Sequence, residues 1–347
     1  MSFFKKPILG VDLGTRTIKG VQLKKGKNGK VELVNHFFQD LALTSDNFPV
    51  QCDRDNAFKA ALEIHSLVSS NAATTIRDSE VMSFNLELPK MSEKELIQVV
   101  PQEVAEQGQL NMDEHSVDFV VSPAGVKVHC VKKSVVLAQM KILEKAGLRV
   151  SGIESEMMAI TSMLEFNDYL DPKEVVVVFD LGESHVNSGL IAEGVLALTR
   201  SSKKSFGSVN RELKERCKLN YDQAEEIKLD YDFLVGPGEN KTAVTEVLDD
   251  VFTDVFKTIK VDLEFYQECA ESLMRIDRVL LVGGGSQIKS VAKVIEKFLK
   301  VPAVVVNPFR NIDIFSGGDS EEVAELAPFM GTAVGLALAS ISGGKAA

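Results

Sequence analysis

Two short stretches constrain this chain more than anything else in it. An apolar run, ILGVDL, ends in Asp12-Leu13-Gly14, and a second, EVVVVFDLG, ends in Asp180-Leu181-Gly182. In neither place does a helix pattern follow. The chain turns and continues as another strand, TIKGVQLK after the first and VNSGLIAEGVLALTR after the second. One supersecondary unit present twice predicts two similar lobes facing across a cleft.

A Gly just after the Asp lets the backbone approach a ligand closely, and successive N–H groups in such a turn form an anion-binding nest. Gly14, Thr15, Arg16 and Thr17 therefore offer backbone and hydroxyl donors to phosphate, and Lys19 returns toward the turn as a point charge. Asp12 stands where a carboxylate holds a hydrated Mg²⁺, an ion that keeps several waters and takes few protein carboxylates. In the second copy Asp180 and Gly182 repeat the pattern, with Ser184 as a further donor. Glu183, however, takes the place of Thr15, and Asn187 that of Lys19. A carboxylate in a phosphate nest repels the anion, so two readings stay open: a weakened second loop, or a Glu183 turned to solvent. The bland alternative for either copy is an ordinary strand-to-strand turn with a solvent-facing lysine.

A third signal is VLLVGGGSQIKSV (279–291). It lacks the Gly-Lys-Ser/Thr of a Walker loop, and Ile288 stands where a dinucleotide fingerprint has its third glycine. It still reads as a strand, a glycine turn and a helix start, where backbone meets a nucleotide closely.

Composition narrows the function classes. The 347 residues, 45% hydrophobic and 26% charged, suit a soluble globular protein of two or three domain-sized units. A net charge of −11 argues against nucleic acid as partner, because phosphate backbones need a basic face. Cys52, Cys130, Cys217 and Cys269 are scattered without a CxxC pair, which excludes a zinc ribbon or disulfide framework and fits a reducing cytoplasm. No apolar stretch reaches a membrane span. MSFFKKP is too short for a signal peptide, and ISGGKAA reads as a small polar tail.

Along the chain, strands are expected at 8–13, 17–24 and 31–38, with KKGKNGK as the hairpin turn between the last two. A helix is expected over 56–71, then a strand over 80–88. Ser92 and Glu95 form a capping box for the next helix. Strands near 116–122 and 126–132 and a helix over 134–146 follow. A strand at 148–154 leads to a helix from 155 to 166, and the second meander fills 174–200. Helices dominate 207–274, broken at VGPGENK; the closing helices are expected at 287–299 and 322–341.

The two DLG hairpins together with LLVGGGSQI resemble the two phosphate motifs and the adenosine motif of the actin, sugar-kinase and heat-shock ATPase superfamily. AELAPFMGTAVGLAL (324–338) is similar to its second connecting helix. Within the superfamily the chain resembles the PilM family of type IV pilus assembly almost end to end. The likeness runs through QEVAEQ (102–107), ILEKAGLRVSGIESEMMAI (142–160), FGSVNRELKERCKLNYDQAEEIK (206–228) and VPAVVVNPF (301–309).

The resemblance implies an α/β, actin-like, two-lobed fold with an inserted, FtsA-type small α+β subdomain. Residues 1–79, 148–173 and 320–347 would form the first lobe and 80–147 the insert. Residues 174–206 and 275–319 would form the core of the second lobe, and 207–274 its helical subdomain. Carried over by position, Asp12 and Asp180 face Mg²⁺, while Gly14, Thr15, Lys19 and Gly182 meet the phosphates of ATP or ADP. Gly207 lies near the nucleotide, Glu225 and Lys228 contact ribose and base, and Gly283, Gly284 and Ser286 pack on the adenosine. Without the resemblance, Glu225 and Lys228 read as a solvated pair at helical spacing. Glu156 matches an acid that orients water, although Met157 follows it where the family often has Pro; the alternative is an exposed glutamate favoured by a helix N-terminus.

The function implied is an ATP-binding adaptor. It would hold the N-terminal cytoplasmic tail of PilN in a groove between insert and first lobe, and so be recruited to the inner face of the bacterial inner membrane. It would link that complex to the pilus motor ATPases and the platform protein, with self-association a further option. Other classes are an FtsA- or MreB-like filament-forming ATPase, a small-molecule kinase of the same superfamily (for which no acceptor-site base is identified), and an interaction protein that has lost its nucleotide. Glu183 and Asn187 are the best support for the last of these.

Overall fold

In the computed structural model, residues 6–26, 29–41, 51–65, 70–122, 125–235, 242–269, 275–314 and 320–342 are described. The start of MSFFKKP, the centre of KKGKNGK, most of VGPGENK and the end of ISGGKAA lie outside them. The first meander is β1 (Ile8–Leu13), β2 (Thr17–Lys25) and β3 (Val31–Asp40), followed by α1 (Gln51–Ile64) and β4 (Asn71–Ile76). The insert follows as β5 (Met82–Leu86), α2 (Glu93–Gly108), β6 (His115–Ser122) and β7 (Gly125–Lys132), with α3 (Lys133–Lys145) leading back to β8 (Arg149–Ser155). Helix α4 (Glu156–Phe166) crosses to the second meander, β9 (Val176–Leu181), β10 (Val186–Ala192) and β11 (Val195–Ser202). Then come α5 (Gly207–Cys217), α6 (Tyr221–Asp230), α7 (Ala243–Cys269), β12 (Arg278–Val282), α8 (Val291–Leu299), β13 (Ala303–Val305) and β14 (Ile312–Ile314). Helices α9 (Ser320–Leu326) and α10 (Gly331–Ser342) follow.

The two lobes repeat one sheet. The first runs β14-β3-β2-β1-β4-β8, the second β11-β10-β9-β12-β13. In each, an antiparallel meander is followed by a parallel neighbour (β4 or β12) and a second parallel strand (β8 or β13). The registers agree as well: Asp12 pairs with Lys19 across β1–β2, and Asp180 with Asn187 across β9–β10.

Strand β4 was not expected; the helix read over 56–71 would have run into it, whereas α1 ends at Ile64. Its sequence, NAATTI, carries neither alternation nor bulky apolar residues. It is a strand because it lies inside a sheet, buried on both faces, and its residues are small because helices pack closely: Ala73 meets Ala159 of α4 and Leu336 of α10. The helix expected over 322–341 is broken by a 3₁₀ turn at Ala327–Phe329 and bends by 95°. Pro328 in that turn has no N–H to continue the first helix.

Helices α4 and α10 fill the space between the two sheets. Met157, Ile160 and Met163 from α4, with Ala333, Val334 and Ala337 from α10, join Val21 and Leu23 of one sheet to Val178 and Leu280 of the other. Each such buried Met, Ile or Leu contributes roughly 1.5–3 kcal/mol, so this shared core fixes how the lobes meet. Among the described residues no single helix is long and apolar enough to cross a membrane; the most apolar, α10, is buried here.

The insert has its own core, with Leu86, Leu96, Val100, Val104 and Val128 on one side of its three-stranded sheet. The capping box at Ser92 and Glu95 starts α2 as expected. Helix α3 packs differently from the rest of 80–147: its buried Leu143 joins Leu9, Phe58 and Ala61 in the core of the first lobe. The insert is also tied to the second lobe, because the buried Lys127 of β7 donates its ammonium to the carbonyls of Leu196 and Ala197 on β11.

Candidate functional site

The two DLG turns are built alike to the ångström. A Cβ on Gly14 would lie 2.7 Å from the Thr17 carbonyl oxygen, and one on Gly182 would lie 2.7 Å from that of His185, three residues on in each case. A side chain at either position collides with the far arm of its own hairpin, which is why both turns carry glycine. Both open onto one cavity of about 370 Å³ between the lobes.

Most residues singled out from the sequence line that cavity. Asp12, Gly14, Thr15, Arg16, Thr17 and Lys19 come from the first lobe, and Asp180, Gly182, Ser184, Glu225 and Lys228 from the second. Glu156 from the start of α4, and Gly283 and Gly284 after β12, complete the set. Gly207 and Ser286 do not line it. Gly207 lies beneath Glu183, where a Cβ would sit 2.3 Å from the Glu183 carbonyl oxygen. Ser286 is buried and spends its hydroxyl on the Gly283 carbonyl at 2.7 Å. The Gly182 N–H is already donated to His185 O at 3.1 Å, and the Ser184 hydroxyl meets His185 Nδ1 at 2.9 Å.

The charges are unevenly distributed. Asp12 and Lys19 form an ion pair of 2.8 Å with both side chains largely buried. Asp180 is pushed up to about 6, first by burial and then by the charge of Asp12, with Lys19 and a hydrogen bond from Asn187 opposing. Gly283, at φ +85, carries the Asp180 carboxylate directly, since a Cβ there would lie 2.3 Å from Oδ1. Burial raises Glu156 to about 8, with Asp78, Asp180 and Asp12 adding to it. Its Oε2 accepts from Asn187 Nδ2 at 3.0 Å. The glutamate is thus not an exposed helix-start residue, and Asn187 is engaged with it and with Ser201, which donates to Asn187 Oδ1 at 2.7 Å.

Nor are Glu225 and Lys228 a solvated pair. The Lys228 side chain is 4% exposed and its ammonium lies 2.7 Å from Glu225 Oε2, which also accepts from Asn210. Glu183 does not turn to solvent; it lines the cleft at the second turn. Its carboxyl is packed over Gly207 and raised by burial, while Lys228 and a hydrogen bond from Tyr221 oppose the rise.

Two residues at or beside the cleft escaped the sequence reading. Asp78, in a 3₁₀ turn after β4, is buried and accepts the Met157 N–H at 3.0 Å, capping α4 from outside that helix. Burial lifts it to about 7 despite hydrogen bonds from Ser155 and Met157. No local signal marks it. Tyr221 lines the cleft with its ring 4.7 Å from the Arg16 guanidinium. Its signal was present: Asn220 and Gln223 form a capping box that fixes where α6 begins.

Residues 10–341 match the family described as Type IV pilus assembly protein PilM. The structure is similar to that of a PilM-PilN type IV pilus biogenesis complex, at 21% identity and a TM-score of 0.78, over 96% of this chain and 98% of that one. It is also similar to the ethanolamine utilization protein EutJ from Carboxydothermus hydrogenoformans, at 15% identity and a TM-score of 0.55, over 96% and 89% of the two chains. MreB 5 of Spiroplasma citri bound to AMPPNP shares 11% identity and a TM-score of 0.51, over 88% and 93%. The paired sheets, the crossing helices and these likenesses together establish an actin-like fold. By a match extending over nearly its whole length, the chain belongs to the Type IV pilus assembly protein PilM family.

Proposed function

We propose that this protein is a nucleotide-holding adaptor of type IV pilus assembly, binding Mg·ATP or Mg·ADP between its lobes. The observation that carries this reading is the pair of equivalent DLG turns, each presenting an aspartate and a glycine to one interlobe cavity. Bound there, a nucleotide contacts both lobes and stabilises one relative angle between them.

The donor set fits a hydrated Mg²⁺. Among the described residues no three acidic, His or Cys side chains converge as a metal cage, and this ion takes one or two carboxylates plus phosphates and water. Asp12 and Asp180 would hold it, and its charge would offset that of the phosphates and of Asp180, which burial and then the nearby Asp12 push up. Lys19 supplies a second positive charge at the first turn. Glu225 and Lys228, fixed to each other on α6, are suited to the ribose and base. Glu156 Oε2 is already engaged by Asn187, which makes this carboxyl poorly placed as a free base for activating water. That favours retention over turnover.

The similar solved structure is a complex of PilM with PilN, and we extend the partner to this chain: the N-terminal cytoplasmic tail of PilN. A second cavity of about 310 Å³, between α3 and the ends of β1 and β4, supports a seat for it. Thr75, Ala138 and Gln139 line that cavity, and the buried Gln139 Oε1 has no hydrogen-bond partner. It shares Leu13, Arg77 and Glu156 with the nucleotide cleft, so a tail bound there responds to what the cleft holds. Recruitment to the inner membrane, and linkage to the motor ATPases and platform protein, would follow from that contact.

Incubation with Mg·ATP, rapid desalting, and assay of retained nucleotide and released phosphate tests the reading. Retained ATP with little phosphate is expected. Rapid phosphate release would favour a filament-forming ATPase, and no retained nucleotide would refute the nucleotide reading. Ala138→Arg, an exposed position on α3 that faces the second cavity, should abolish binding of a PilN tail peptide while leaving nucleotide retention unchanged.

A further inference from the structure

We propose that Arg16, Tyr221 and Glu183 form a latch that closes the cleft across the two lobes and slows release of the nucleotide; this rests on the nucleotide reading above. The three residues come from the first turn, from α6 and from the second turn, and they meet at one place. Arg16 is anchored in the first lobe, donating through one terminal nitrogen to the Leu41 carbonyl at 2.8 Å and lying 3.4 Å from Asp40. From there its guanidinium reaches the face of Tyr221 in the second lobe, 4.7 Å from the ring centre. The phenol in turn lies beside the Glu183 carboxyl, each acting on the other's ionisation. A cation on one lobe and an acid on the other are joined through one aromatic ring.

Each member is held for this purpose. Tyr221 is the first residue of α6, and the reciprocal bonds between Asn220 and Gln223 fix that helix start. The Glu183 carbonyl accepts the Gly207 N–H at 3.1 Å, and its carboxyl lies so close over Gly207 that a Cβ there would be 2.4 Å from Oε1. The Arg16 Nε is buried without a hydrogen-bond partner and belongs to a side chain lining the cleft. An unpartnered buried donor is costly, and a phosphate oxygen would satisfy it. Arg16 therefore has one edge tied to its own lobe, one face on the opposite lobe, and one donor left for the ligand.

The latch accounts for the substitution in the second turn. Glu183, in the position of Thr15, does not receive phosphate; it anchors Tyr221, so that the second turn contributes to closure what the first contributes to binding.

A cation–π contact in a desolvated setting changes a rate by about tenfold, equivalent to about 1.4 kcal/mol. The test is stopped-flow release of a fluorescent N-methylanthraniloyl ATP analogue, loaded with Mg²⁺ and chased with excess ATP. Arg16→Ala and Tyr221→Ala should each release it about tenfold faster. The double variant should be no faster than Arg16→Ala alone, because that variant already removes the contact that Tyr221 makes. Tyr221→Phe and Glu183→Gln keep the shapes and should give smaller accelerations in the same direction, which guards against an unfolded alanine variant. Release within twofold of the unsubstituted protein in all four single variants overturns the latch alone. Additive effects in the double variant also overturn it, since they would mean that Arg16 and Tyr221 act separately. No retained analogue in the unsubstituted protein overturns the nucleotide reading and the latch with it.

Discussion

Asp78→Asn should make the nucleotide-free protein more stable at pH 8 and leave it unchanged at pH 4. The carboxyl is 6% exposed and its pKa is raised from 3.8 to about 7. A rise of that size means that the ionised form costs the folded state about 4 kcal/mol. The sign follows from linkage. Below about pH 4 both folded and unfolded chains carry the proton, and there is no cost. Between 4 and 7 the unfolded carboxyl ionises while the folded one stays protonated, so stability falls as pH rises. Above 7 the cost is fully present. Glu156, raised to about 8, and Asp180, raised to about 6, act in the same sense and extend the decline. Asparagine copies the neutral acid and still accepts the Met157 N–H, and the rise to about 7 already includes the opposing hydrogen bonds from Ser155 and Met157. The gain at pH 8 is therefore about 4 kcal/mol, the whole cost of the ionised form. Urea unfolding followed by circular dichroism at the two pH values measures it. A variant less stable than the parent at pH 8, or equally shifted at both pH values, would refute the reasoning.

Asp12→Ala should abolish Mg·ATP retention with the fold intact, because the ion pair with Lys19 is lost together with one of the two carboxylates meant for the metal; unchanged affinity by equilibrium dialysis would remove Asp12 from the site. Gly335→Ala should cost about 3 kcal/mol or more, since its Cβ would sit 1.8 Å from the Ala159 carbonyl oxygen where α10 crosses α4. A melting temperature at or above the parent's would show that the crossing can open. Lys127, pushed down to about 8 by burial, carries its full desolvation cost below pH 8 and loses it as pH rises toward 10.5. The parent should therefore gain stability between pH 8 and 10, and Lys127→Met should lack that gain.

Much of the fold was legible because its signals are local. The two apolar runs ending in Asp-Leu-Gly, the alternating strands and the capping box at Ser92 each depend on residues within a few positions of one another. The equivalence of the two turns was legible for the same reason, and the structure reproduces it in pairing register as well as in sequence. Strand β4 was not legible. NAATTI has no periodicity, and only the sheet on either side and the helices above it make it a strand. The bend at Pro328 could have been read from the proline, but an unbroken apolar run concealed it.

The sequence by itself determined that two like hairpins, a glycine turn and an acidic pair were present, and hence that the chain folds as two lobes around a cleft. Only the tertiary structure decided what the individual side chains do in that cleft. Asp78, Glu156 and Asp180 are raised because burial removes water and because carboxylates distant in the chain lie near one another. Glu183 is turned onto Gly207 and Tyr221 by packing from α5 and α6, far along the chain. Lys127 ties an insert to the lobe it is not inserted in. Burial and through-space charge depend on neighbours that no sequence window contains, so they became readable only once the chain had closed on itself.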